Sequence, residues 1–227
     1  MAIIKPAKSA KDQLESSSNT TRSMDELVIR DAVEKWGRDR WPDARQVHEL
    51  VVGRGQCRAD MAFVCQDNIV GVEIKSGWDN TSRLMMQAAH FSLACPEVWI
   101  VIDPKHGGDT AMVRYLMPWL GEIHVDVTFP EKYEERKNIE NWTCGLQVVH
   151  EAKQREPMPN CFLEMCWRDE LYVEAQRYNL QPPSRITHQK LIELLMEKLT
   201  DKQRIEAVCR RLRARDAFWR SDDRIEA

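Results

Sequence analysis

The segment from residue 58 to residue 75 constrains this chain most. Two strand-like stretches, Arg58-Ala59-Asp60-Met61-Ala62-Phe63-Val64-Cys65 and Ile69-Val70-Gly71-Val72-Glu73-Ile74-Lys75, are separated by a short polar break that includes Gln66-Asp67. A two-residue hairpin loop at Gln66 and Asp67 places residue 60 directly opposite residue 73, with Cβ atoms about 5 Å apart. Side chains alternate along a strand, so Asp60, Glu73 and Lys75 share one face. Met61, Phe63, Cys65, Val70, Val72 and Ile74 then make an unbroken apolar set on the other. A slip of one residue would scatter that set and separate the two acids. The hydrophobic pattern therefore selects the register that gathers the three ionisable groups.

Two carboxylates that close repel each other unless a cation lies between them. Oxygen ligands of this kind favour Mg²⁺ or Mn²⁺, with Asp60, Glu73 and the Ile74 carbonyl as the predicted metal ligands. Lys75 would then orient or help deprotonate a water and stabilise charge on a phosphate. The bland alternative is a cross-strand ion pair between Asp60 and Lys75, with Glu73 merely exposed. Glu-x-Lys recurs at Glu151-Ala152-Lys153, and a related Asp103-Pro104-Lys105 occurs as well. Only the copy at 73 ends an apolar strand that faces a second acid.

The surrounding pattern supplies a scaffold. Ser23-Met24-Asp25-Glu26 has the form of a capping box and predicts a first helix, striped by Val28, Ala32 and Trp36 and ending before Trp41-Pro42. Further strands are predicted at 46–52, 97–102 and 122–127, and helices at 80–94 and 109–119. That order implies an α/β fold with a mixed central sheet flanked by helices. Residues 1–22 read as a flexible tail, 23–127 as the core and 128–160 as a solvated connector. A helical C-terminal extension fills 161–227, with helices near 162–178, 187–199 and 201–219. With 43% hydrophobic residues the chain can build a core. Its apolar runs are strand-sized and its N-terminus lacks a secretory segment, which predicts a soluble cytoplasmic protein without a membrane partner. Seven cysteines without CxxC spacing disfavour a disulfide framework and a structural zinc site.

At Asp60 and Glu73-Ile74-Lys75 the chain resembles the restriction-endonuclease-like PD-(D/E)XK nuclease superfamily. Within it, Arg58-Ala59-Asp60, Val72-Glu73-Ile74-Lys75-Ser76 and Arg83-Leu84-Met85-Met86-Gln87 look most like small bacterial and phage DNA-repair and resolvase-like nucleases. The resemblance spans roughly residues 23–127, and Ala59 departs from the proline of the family name. It implies a restriction-endonuclease-like core, a Mg²⁺ (or Mn²⁺) cofactor and DNA as substrate. It also implies catalytic roles for Asp60, Glu73 and Lys75, supported by Gln87 on the following helix and Glu26 on the first. Glu26 serves equally as a capping residue, Glu49 is a rival source of the extra carboxylate, and Gln87 has a bland reading as a partly buried helix residue.

Ser76 and Arg83 are candidate phosphate contacts, and Trp78 either stacks on a base or packs. The C-terminal region reads as a helix, an extended loop and a helix, similar to SAP-like DNA-binding modules. Residues 200–220 carry seven basic against three acidic side chains, a net of +4. Arg210, Arg211 and Arg213 are accordingly expected to follow DNA phosphates, unless they are the solvated face of a packed helix. The expectation is a metal-dependent deoxyribonuclease of repair, recombination or phage DNA processing, with room for a homodimer. The alternative is an inactive DNA-binding or assembly module on the same fold, and a third reading is an RNA-cleaving enzyme.

Overall fold

The computed structural model describes residues 24–52, 55–132 and 135–215. Its centre is the predicted hairpin. Strands β2 (Cys57–Val64) and β3 (Ile69–Lys75) pair antiparallel with Met61 opposite Val72 and Val64 opposite Ile69. Gln66 and Asp67 form the turn, closed by the Cys65 N–H donating to the Asn68 carbonyl at 2.8 Å. The register is the one the apolar alternation selects.

Strand β1 (Arg45–Val52) adds antiparallel to β2. Helix α2 (Leu84–Ala94) carries the chain from β3 to a parallel neighbour, β4 (Glu97–Ile102), and α3 (Gly107–Leu116) carries it to a parallel β5 (Gly121–Thr128). A sixth strand, β6 (Thr143–His150), closes the sheet antiparallel to β5. The fold is therefore α/β, one mixed six-stranded sheet in the order β1-β2-β3-β4-β5-β6 with helices on both faces.

Strand β6 corrects the reading of 128–160 as a connector. None of its residues is fully buried, so the alternation that betrays a half-buried strand is faint. Backbone pairing to β5 defines it instead.

Helix α1 (Met24–Arg40) covers one face of the sheet. Ile29 and Val33 meet Met61, Phe63, Val70, Val72 and Ile74 there, with Trp36 packed against the cluster. The apolar stripe thus centres on Ile29 and Val33, with Ala32 only partly buried. Gly37 lets α1 lie flat on the sheet, because a Cβ at that position would sit 1.9 Å from the Phe63 ring. The helix ends at Arg40, as Pro42 requires. Ser23, the proposed capping residue, lies outside the described residues. Cys65, expected with the apolar set, falls past the last ladder pair and is only partly buried.

The opposite face holds the larger core. Leu84, Ala88 and Phe91 of α2 pack there with Ala62, Val64 and Ile69. The C-terminal helices α4 (Pro159–Leu163), α5 (Arg168–Arg177), α6 (His188–Lys198) and α7 (Asp201–Ala214) join the same cluster through Phe162, Leu171, Leu191, Leu195, Val208 and Leu212. The predicted helix over 162–178 is broken at 164–167. Arg45 of β1 ties down the end of α7, donating to the carbonyls of Leu212, Arg213 and Arg215 at 3.2, 2.8 and 2.5 Å. A guanidinium at these orphan carbonyls is where the helix dipole favours a cation. Among the described residues no helix is long and apolar enough to cross a membrane.

Candidate functional site

The β2–β3 ladder stops at Met61 and Val72, one residue short of Asp60 and Glu73. Beyond that point Asp60 takes over from the backbone, its Oδ2 accepting from the Ile74 N–H at 2.8 Å. The carboxylate is thereby fixed against β3, beside the chain that carries Glu73 and Lys75. Glu73 is 2% exposed. Its Oε1 accepts from Lys75 Nζ and from Gln87 Nε2 of α2, both at 2.5 Å. Its Oε2 is buried with no hydrogen-bond partner, and so is Gln87 Oε1.

Electrostatics shows how closely these groups sit. Burial pushes the Glu73 carboxyl up to about 8, the Asp60 charge pushes the same way, and Lys75 and Gln87 oppose both. Asp60 is also raised, chiefly by burial, against the opposing pull of Arg30, the Ile74 N–H and Lys75. Each acid retains its proton more readily than a solvated carboxyl because neither is fully compensated.

A guanidinium links the first helix to this centre. Arg30 of α1 is 4% exposed. Its Nη1 donates to the Asp60 carbonyl at 2.8 Å, its Nη2 lies 3.2 Å from Asp60 Oδ1, and its Nε donates to Glu26 Oε1 at 3.1 Å. Glu49 Oε1 is 3.6 Å from the same Nη2, and Glu49 Oε2 is 2.5 Å from Arg58 Nε. Glu49 holds a left-handed backbone, φ 57°. For a residue other than glycine such a conformation costs of order 1–3 kcal/mol and is retained where surrounding contacts enforce it.

The structure therefore brings Asp60, Glu73, Lys75 and Gln87 together, and joins Glu26 and Glu49 to them through Arg30. The bland reading of Glu73 as an exposed acid is overturned by its burial. Arg30 escaped the sequence reading because a glutamate and an arginine four apart on a helix look like an ordinary surface pair; its only signal is its place beside the buried Ile29.

The phosphate-contact candidates fare differently. Arg83 is exposed just before α2. Ser76 is buried, its N–H on Asp79 Oδ2 at 2.6 Å and its hydroxyl 3.4 Å from the Trp78 N–H. Arg210 and Arg211 both turn inward to the fully buried carboxylate of Glu174, the first at 3.1 Å. Arg213 donates to the carbonyls of Asp43 and Val64 at 2.6 and 3.1 Å. These three arginines staple α7 to the body, which corrects their reading as a phosphate-following row.

Among the described residues, no group of three or more His, Cys, Asp or Glu side chains is placed to hold a metal ion. The available donors are two carboxylates and the Ile74 main chain. That set fits a hard divalent ion that keeps several waters. The orphaned Glu73 Oε2 is the atom such an ion would satisfy.

Fold and site together define an α/β protein with a mixed sheet and a buried carboxylate–lysine cluster at the splayed end of one hairpin. The chain belongs to the bacteriophage P4 protein cII family, whose model matches residues 24–227. No curated protein matches it. Among solved structures it is similar to SPO1766 of Silicibacter pomeroyi, a protein of unknown function. The two share 13% identity over 73% of this chain and 99% of that one, with a TM-score of 0.41.

Proposed function

We propose that this protein is a Mg²⁺- or Mn²⁺-dependent deoxyribonuclease, working in the manner of the PD-(D/E)XK enzymes that Asp60 and Glu73-Ile74-Lys75 resemble. One observation carries the reading. Glu73 is buried with one oxygen held by Lys75 and Gln87 and the other left unpartnered, and the Asp60 charge raises its carboxyl further. A cation resolves that frustration.

Asp60, Glu73 and the Ile74 carbonyl would hold the ion. When bound it supplies positive charge opposite a phosphate oxygen and acidifies a water. Gln87 fixes the rotamer of Glu73, and the Ile74 N–H fixes that of Asp60. Lys75 has its ammonium beside Glu73, where it orients the attacking water and offsets charge on the phosphate. Arg30 anchors α1 to the Asp60 backbone and keeps that end of β2 in place.

The test is DNA cleavage by the purified chain in Mg²⁺ or Mn²⁺, on single-stranded, duplex and branched substrates. Lys75→Ala should lower the rate by about 10²–10⁴ while circular dichroism shows the fold retained. Cleavage by Lys75→Ala at the wild-type rate would remove Lys75 from the mechanism.

A second reading, a DNA-binding or assembly module without catalysis, is favoured by Arg30, which already pairs with Asp60 at 3.2 Å. Calorimetric titration with Mn²⁺ separates the two. Binding that disappears in Asp60→Asn supports the enzyme, and no binding supports the module.

A further inference from the structure

The chain leaves the Lys75 site through an exposed indole. Trp78 is 86% exposed, more than any other large apolar side chain among the described residues. It lies three residues beyond Lys75, so its Cα is within about 11 Å of the lysine's. An indole that size is ordinarily worth burying.

The loop that carries it is well tied. The Ser76 N–H donates to Asp79 Oδ2 at 2.6 Å, the Asp79 N–H returns to the Ser76 carbonyl at 3.2 Å, and Thr81 Oγ1 donates to Asp109 Oδ2 at 2.5 Å. Gly77 brings the loop against the turn after β4, where a Cβ would stand 2.8 Å from Asp103 Oδ2. From that turn the exposed Lys105 sets its ammonium 5.4 Å from the centre of the Trp78 ring. The acids of both loops already accept hydrogen bonds, Asp103 from the Lys105 N–H at 2.9 Å. An exposed aromatic face on a tied loop, with a cation near it and the proposed phosphodiester-cutting centre within a few residues, is the arrangement that binds an unpaired base and its phosphate.

We propose that Trp78 and Lys105 form a stacking platform for an unpaired base of the DNA strand entering the Lys75 site, so that the preferred substrate is single-stranded or locally unpaired DNA. This rests on the nuclease reading and deepens it. A base inside a duplex already has neighbours on both faces, and freeing one costs a few kcal/mol. An unpaired base meets the indole without that cost. Lys105 adds a phosphate contact that carries no sequence information.

The experiment measures binding with the full chain in chelator, so that nothing is cut, by anisotropy of a labelled oligothymidylate and of a labelled duplex of equal length. The single strand should bind more tightly than the duplex. Trp78→Ala should weaken single-strand binding by about tenfold with little change on the duplex, and Trp78→Phe should retain most of the affinity. Unchanged single-strand affinity in Trp78→Ala, an equal loss on both DNAs, or no binding by the wild type would overturn the platform. Trp78-dependent binding by a chain that never cuts DNA in Mg²⁺ or Mn²⁺ supports the platform and refutes only the nuclease reading.

Discussion

Glu73 is held in a place that suits its neutral form. Its ordinary carboxyl range lies far below the value near 8 that burial and Asp60 impose. A folded-state value raised in this way means that the native protein binds the proton more tightly than the unfolded chain. The stabilisation is fully present below the unfolded value and is lost as pH climbs toward 8. In chelator, wild-type stability should therefore decline between about pH 5 and pH 8, and Glu73→Gln should flatten part of that decline. The remainder belongs to Asp60, raised in the same direction. Denaturant unfolding across that range checks it, and parallel curves for the two proteins would contradict it. The positions of Asp60, Glu73 and Lys75 were legible because strand alternation leaves them one arrangement. The hydrogen bond from Ile74 to Asp60 and the carboxylate cluster around Arg30 were not. They depend on where the ladder ends and on the rotation of α1, and neither has a periodicity to read.

Helices and strands in the first half follow from local signals, since Gly, Pro and apolar alternation agree there on the same boundaries. Helix α1 shows the limit of such signals. Its stripe is centred on Ile29 and Val33 because Gly37 must lie over Phe63, a tertiary demand invisible in a helical count. Gly37→Ala forces a methyl into that ring and should lower stability by about 1–3 kcal/mol, despite alanine's better helix propensity. Thermal unfolding checks this, and a Tm equal to or above wild type would mean that the helix can shift away at no cost. Strand β6 is the reverse case, an element defined by partner strand rather than by pattern. Arg210, Arg211 and Arg213 belong here too. A basic stretch reads as a patch for phosphate, but a buried acid such as Glu174 can claim two arginines, and only the packed helices reveal it.

At the scale of the whole molecule, the C-terminal helices share one core with the sheet. Phe162, Leu171, Leu191, Leu195, Val208 and Leu212 are each at most 1% exposed. Burying one such side chain is worth about 1.5–3 kcal/mol, so together they rival the roughly 5–15 kcal/mol that separates folded from unfolded domains. Near-ultraviolet and far-ultraviolet dichroism should accordingly lose their signals at one denaturant midpoint. Two separated transitions would show that sheet and helices unfold as independent units. The strand order carries a consequence for how the molecule is made. Each strand lies beside its predecessor in the chain, so on a ribosome the sheet can grow one neighbour at a time. The cover for Ala62 and Val64 includes Val208 and Leu212, which emerge more than 140 residues after them. Until the C-terminal helices have been made, the nascent hairpin shows a greasy flank to chaperones, and only their arrival can close it.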